Sequence, residues 1–457
     1  MPNLADYISG NTPRFLAELK DWLRIASVST DGAHQAEIEQ AAEWLKARLL
    51  AAGVQHAELI PTAGNPMVFA EHVIDPSAPT VLIYGHYDVQ PEDPVELWTS
   101  PAFEPTERDG RLYARGTIDD KGQVYMHVKA LETRLGSGAG MSINVKFLIE
   151  GEEEIGSENL ADFLTDNREK LSCDAVLISD TAMLSREIPA VTAGLRGIAY
   201  AEVEVRGPAK DLHSGHYGGA VENPAMALSS IIASLKGADG RITVPGFYDS
   251  VRDMTEKEKA DTALVPFDEE EFRAEVGATA LNGEVGYNSL ERTWYRPALD
   301  VNGIWGGFIG SGSKSVLPAV ATAKMSFRLV PDQDPDDVLD AFEQHVHALA
   351  PTGVEVEIRR FHGGIPWVAD PGSPVFQAAD AALERAFGTP PVYVRDGGSI
   401  PIVPLFETTL DAPAVLVGFY LPGCNLHAPD EWLDLEVYEA GIGALADLYG
   451  EIGERGV

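Results

Sequence analysis

Short apolar runs, each followed within a few residues by an acid or a histidine, set the rhythm of the first part of this chain. Val81-Leu82-Ile83-Tyr84 leads to His86, Val145-Lys146-Phe147-Leu148-Ile149 leads to Glu153 and Glu154, and Val176-Leu177-Ile178 leads to Asp180. Asp119 follows the turn-rich Ala114-Arg115-Gly116-Thr117-Ile118. Apolar runs this short, bounded by turn residues, read as buried strands. Between them lie helix patterns. Phe15, Leu19, Trp22 and Leu23 share a face after a start signal at Thr12-Pro13, and Ile38, Ala41, Leu45 and Leu49 share another before Gly53. Strands alternating with helices predict an α/β fold with a mostly parallel sheet flanked by helices. Such sheets build their sites at the carboxyl ends of the strands.

The pattern changes near Gly194-Leu195-Arg196-Gly197. Ala199, Ala201, Val203 and Val205 then alternate with Tyr200, Glu202 and Glu204, as in a half-exposed antiparallel strand. Asn223-Pro224 and Pro335-Asp336-Asp337 open helices, Lys324 to Val330 reads as a strand, and Val354, Val356 and Ile358 alternate with charged residues. Two strand-helix-strand units of this kind predict a small inserted α+β domain. The expected division is residues 1–196 for the first part of a catalytic domain, 197–361 for the insert, and 362–457 for the second part, with Gly363-Gly364-Ile365-Pro366 as exit hinge. The stretch 246–300 shows no clear period.

A chain of 457 residues exceeds one ordinary core, in keeping with two domains. No run of apolar residues reaches the length of a transmembrane helix, and Met1-Pro2-Asn3-Leu4 lacks the basic start of a signal peptide. Cys173 and Cys424, far apart, form no disulfide framework. A cytoplasmic protein is expected. The net charge of −37 opposes binding to nucleic acid or to an anionic membrane, so neither is an expected partner.

His86, Asp119, Glu154, Asp180 and His427 are each unremarkable alone; together they form a ligand set for two metal ions. Two divalent ions bring four positive charges against three from Asp119, Glu154 and Asp180. The remaining charge holds a hydroxide, whose parent water is brought towards a pKa of ~7. Nitrogen and oxygen ligands without thiolate suit zinc, manganese or cobalt. Asp88, two residues after His86, is placed to accept the other ring N–H and fix the tautomer. Glu153, beside ligand Glu154, is free to act as general base, so hydrolysis by metal-activated water is the chemistry implied.

Gly85 to Pro91, Arg115 to Gly122, Glu150 to Ser157, Ile178-Ser179-Asp180, Lys210 to Gly215, Ser326 to Pro331 and Gly397 to Pro401 together resemble a known family. The chain is similar to the aminoacylase/carboxypeptidase/succinyl-diaminopimelate desuccinylase clan of dinuclear metallopeptidases, in its cytosolic nonspecific dipeptidase and carnosinase-like branch. The resemblance implies a phosphorylase/hydrolase-like catalytic domain with an inserted lid and dimerisation domain, and a homodimer. It implies that Asp119 bridges two zinc or manganese ions, with His86 and Asp180 completing one site and Glu154 and His427 the other. It implies Glu153 as base, a cis peptide between Asp119 and Asp120, and His213 reaching the partner subunit's site to polarise the scissile carbonyl. Arg328, with Ser399 and the Gly397-Gly398 backbone, would bind the substrate's terminal carboxylate, near Ser315. Ala182 departs from the tyrosine of close relatives, which implies a wider amino-side pocket. The expected activity is a metal-dependent dipeptidase or carboxypeptidase-like exopeptidase acting on short peptides. An N-acyl-amino-acid deacylase is the alternative within the same chemistry, and a non-catalytic metal-binding protein the alternative outside it.

Overall fold

A computed structural model describes residues 4–361 and 363–457, and the chain divides into two compact units. The first comprises Met1–Ala193, Ala369–Val394 and Ile402–Val457; the second comprises Gly194–Val368 and Arg395–Pro401. The boundary expected at residue 362, and the start of the chain at Met1-Pro2-Asn3, fall outside the described residues. The main segment of the second unit ends at Val368, beyond the expected position 361, because Trp367 and Val368 pair with Leu195 and Gly194. The expected hinge is pinned rather than free: Ile198 and Gly364 exchange two backbone hydrogen bonds of 2.8 Å.

The sheet of the first unit runs in the order His56–Ile60, Met67–His72, Asn144–Glu150, Thr80–His86, Ala175–Ile178, Ala414–Leu416 and Ala190–Leu195. From Asn144–Glu150 to Ala414–Leu416 the strands are parallel, and the flanking pairings are antiparallel. Alternate side chains serve opposite faces. Val81 and Ile83 join a large core with Trp22, Leu45 and Tyr449, whereas Tyr84 meets Phe406 of the helix Ile402–Leu410 edge-on at 4.7 Å. Both faces are thus covered, which is why these strands read as unbroken apolar runs.

The first helix, Leu4–Leu23, is already formed ahead of the Thr12-Pro13 signal and carries Pro13 inside it. An interior proline costs about 3 kcal/mol. Burial of Ile8, together with the Thr12 hydroxyl donating to the Ile8 carbonyl at 2.9 Å, offsets part of that cost. The second helix, Gln35–Ala52, ends at Gly53, whose φ of 111° suits glycine and lets its N–H reach back to Leu49 and Leu50.

The second unit has an antiparallel sheet in the order Ala298–Gly306, Val320–Leu329, Gly197–Arg206, Glu355–Arg360. Ala199, Ala201, Val203 and Val205 pack with Leu228 of helix Pro224–Ala233 and Phe342 of helix Pro335–Leu349, while Tyr200 is exposed on the other face. Asn223 and Asp334 cap these helices through side-chain oxygens. Residues 246–300 contain short helices, two of them opened by capping boxes at Thr255 with Glu258 and at Asn288 with Glu291. They lead into the edge strand Ala298–Gly306, whose bulge between Val301 and Gly303 breaks the alternation and hid it in the sequence. Among the described residues no helix is long and apolar enough to cross a membrane.

Candidate metal centre

The carboxyl ends of the parallel strands in the first unit carry the candidate ligands. His86 closes the strand Thr80–His86, Asp180 follows Ala175–Ile178, and Glu153 and Glu154 lie in the turn after Asn144–Glu150. Asp119 stands just before the helix Lys121–Ser137, joined to Asp120 by a cis peptide. His427 lies beyond Ala414–Leu416 with φ 55°, a left-handed conformation uncommon for non-glycine residues.

Asp119 is shared. Its Oδ1 lies 3.0 Å from His86 Nε2, which is 4.0 Å from Asp180 Oδ2. Its Oδ2 lies 2.7 Å from His427 Nε2, which is 3.3 Å from Glu154 Oε2. Two triads result, His86–Asp119–Asp180 and Asp119–Glu154–His427, with the ligand atoms of each within 4.8 Å of one another. His86 Nε2 and Glu154 Oε1 are buried without a hydrogen-bond partner, so the 3.0 Å approach of His86 to Asp119 is not an aligned hydrogen bond. Each triad thus holds one buried acceptor without a partner, and a cation would satisfy it. The donor set therefore fits two divalent ions.

The electrostatics agree. Burial and the facing carboxylate of Asp119 push Asp180 well above the ordinary carboxyl range. Burial also opposes ionisation of Asp119, but the hydrogen bond of His427 and the close approach of the His86 ring hold it well below its usual value. Hydrogen bonding to Asp119 and then Glu154 raises His427 to about 10. A proton held there occupies the lone pair that a cation would take, and cation binding must expel it. Burial pushes Glu153 up to about 7, with His86 opposing and Glu154, Asp119 and Asp88 adding to the rise. Bound cations would draw Glu153 back towards the ionised form.

His86 Nδ1 lies 3.1 Å from the main-chain carbonyl of Asp88 and 3.4 Å from its carboxylate. The tautomer-fixing acceptor is thus the Asp88 carbonyl. The carboxylate instead accepts the N–H groups of Glu153 at 3.3 Å and Glu154 at 3.1 Å, holding the turn that carries both glutamates. Sequence reading missed Gln90, which donates to Glu154 Oε2 at 2.7 Å. It also missed Asp120, whose buried Oδ2 accepts the His86 N–H at 3.3 Å. Gly85 is required beside it, since a Cβ there would come within 2.5 Å of that carboxylate.

In the second unit, His213 is exposed and its ring stacks on His216 with centroids 4.5 Å apart. Its Nδ1 accepts the Gly215 N–H at 3.1 Å, which in the neutral ring leaves the proton on Nε2 as a donor. Ser315 is also exposed, and its carbonyl accepts the Ser214 N–H at 3.1 Å. Arg328 donates to the Ser399 hydroxyl at 2.9 Å. The backbone donor expected from Gly398 is already engaged, because its N–H bonds Asp396 Oδ1 at 2.7 Å in a local Asx turn. Arg196 steadies the same turn, donating to the Gly397 carbonyl at 2.8 Å.

Residues 82–451 match the model of Peptidase family M20/M25/M40. The chain is 31% identical to the Cys-Gly metallodipeptidase dug1 of Schizosaccharomyces pombe, over 97% of this chain and 96% of that protein. It is likewise 31% identical to the Beta-Ala-His dipeptidase of Homo sapiens, over 98% of this chain and 92% of that protein. Among solved structures, the M20 family metallo-carboxypeptidase Sso-CP2 from Sulfolobus solfataricus superposes with a TM-score of 0.83 at 33% identity, covering 96% of this chain and 99% of that one.

Proposed function

Because the chain belongs to Peptidase family M20/M25/M40, we propose that it is a metal-dependent dipeptidase cleaving the amide bond of short peptides with a free terminal carboxylate. The observation that carries this reading is the shared Asp119, with one oxygen turned to His86 and the other to His427, and Glu153 close by. The similarity to the Cys-Gly metallodipeptidase and the Beta-Ala-His dipeptidase supports the substrate class.

His86, Asp119 and Asp180 would hold one divalent ion, zinc or manganese, and Asp119, Glu154 and His427 the other. When bound, such a pair supplies Lewis acidity to a carbonyl and acidity to water. Glu153 takes the proton of the attacking water and returns it to the leaving amine, a transfer that needs it ionised, as bound cations would make it. Asp88 keeps Glu153 and Glu154 in register through their N–H groups. Arg328, aligned by Ser399, pairs with the substrate carboxylate. His213 contributes its Nε2–H to the developing oxyanion of a partner subunit's substrate, and Ser315 lies on the adjoining strand end. A cytoplasmic location suits two free cysteines.

A hydrolysis panel tests the activity. With zinc or manganese added, unblocked dipeptides are expected to be cleaved, and N-acetyl amino acids and C-terminally amidated dipeptides to be poor substrates. Preferential cleavage of N-acetyl amino acids would instead identify a deacylase.

The homodimer is part of the proposal. Val301, Ile304 and Trp305 are exposed on the strand Ala298–Gly306, which forms one edge of its sheet, and Phe308 and Ile309 follow it exposed. An apolar open edge invites a covering surface, and a second copy of the chain supplies it. Subunits of Glu153→Gln and of His213→Ala, each inactive alone, are expected to regain activity on mixing, since one site of each heterodimer then has neither lesion. Heterodimers that form yet stay inactive would remove His213 from the partner's site.

A further inference from the structure

Glu431, a buried carboxylate that the proposed mechanism does not use, is hydrogen-bonded to the loop that carries Asp119. Its Oε2 accepts from Arg115 at 2.7 Å and from the Gly116 N–H at 3.0 Å. Its Oε1 accepts from the Ile118 N–H at 2.9 Å and the Asp119 N–H at 3.4 Å, with the Thr117 hydroxyl 3.2 Å away and donating to the Ala114 carbonyl at 2.8 Å. Neutralising Arg115 would require one oxygen. The other oxygen faces only the loop that ends in Asp119.

Glu431 is itself fixed. Its carbonyl accepts the Ala114 N–H at 3.2 Å, extending the antiparallel pairing of Trp432–Asp434 with Arg111–Tyr113. The turn just before it carries His427 and is closed by the Trp432 N–H on the Cys424 carbonyl at 3.0 Å and by Asn425 on the Asp430 carbonyl at 3.1 Å. One short segment therefore presents His427 and, through the Glu431 side chain, holds the loop that presents Asp119.

We propose that Glu431 is a positioning residue that locks the Asp119 loop to the His427 turn, so that both oxygens of Asp119 stay directed at the two cation sites. This rests on the two-cation reading of the centre. Partners that orient metal ligands change affinity by roughly ten- to hundredfold when removed. Glutamine at this position keeps the shape but turns one oxygen into an N–H₂ group, which would face either Arg115 and Gly116 or the N–H groups of the loop.

Cobalt(II) titrated into metal-free protein, followed by ion count and visible absorption, tests the proposal. The wild type is expected to bind two ions, and Glu431→Gln to bind at least one of them about tenfold or more weakly, with an altered spectrum. A Glu431→Gln protein that melts at a lower temperature yet binds both ions with wild-type affinity and spectrum would overturn the proposal, because a purely structural role moves stability alone. If Glu431→Gln does not fold, Glu431→Asp decides, since it keeps the charge but shortens the side chain by one methylene and withdraws the carboxylate from the loop N–H groups. Uptake about twofold or more weaker, with shifted absorption, supports the role; an unchanged titration overturns it. A wild type that binds fewer than two ions would overturn the two-cation reading and this proposal with it.

Discussion

Glu153→Gln is expected to lower kcat by roughly 10²–10⁴-fold while the protein still binds its full complement of metal. The amide matches the carboxylate in shape, and the contact holding the turn runs from the Glu153 N–H to Asp88, which the substitution leaves intact. The ligand carboxylate in that turn is Glu154, steadied by Gln90 at 2.7 Å. What glutamine removes is the capacity to accept a proton. KM should change little, since Glu153 is assigned no part in binding. A variant that keeps near-wild-type turnover would mean that the base is another residue. A variant that loses metal would mean that Glu153 is itself a ligand.

Arg328→Ala is expected to reduce kcat/KM for a free dipeptide by an amount equivalent to roughly 2–5 kcal/mol, the usual cost of removing one partner of a desolvated charge pair. Arg328 is aligned by Ser399 at 2.9 Å, and its guanidinium offers a planar fork that matches a carboxylate. The same variant should lose far less on the C-terminally amidated dipeptide, which has no anion to pair. Measuring both substrates on both proteins isolates the pairing from any general damage. Equal losses on acid and amide would assign Arg328 a structural role. Against the chain's net charge of −37, Arg328 supplies a local cation for the carboxylate end of the zwitterionic dipeptide.

The strands leading to His86, Glu153 and Asp180 were legible in the sequence because burial on both faces makes a strand an unbroken apolar run, and turn residues mark its end. The open sheet of the second unit was legible for the opposite reason: one buried face leaves strict alternation at Ala199 to Val205. Part of what escaped depends on contacts between distant residues, and part on which local donor meets which local acceptor. Pro13 signals a helix start locally, yet the helix is already formed ahead of it, where Ile8 packs. Glu431, in Pro429-Asp430-Glu431, reads as surface charge until the pairing with Arg111–Tyr113 buries it under the Asp119 loop. Gly397-Gly398 reads as a turn with backbone donors to spare, but Asp396, two residues before Gly398, takes that N–H for itself. The exchange of roles at Asp88, carbonyl to His86 and carboxylate to the glutamate turn, likewise needs the geometry of two strand ends side by side.

The proposed mechanism depends on two cations, which the two triads sharing Asp119 would hold. The most direct measurement is a titration of metal-free protein with zinc or manganese, counting ions bound per chain while following hydrolysis of an unblocked dipeptide, for wild type and Glu153→Gln in parallel. The predicted result is two ions bound by both proteins, with turnover appearing only in the wild type and only as the sites fill. Turnover by the metal-free wild type, or saturation at a single ion with full activity, would contradict it.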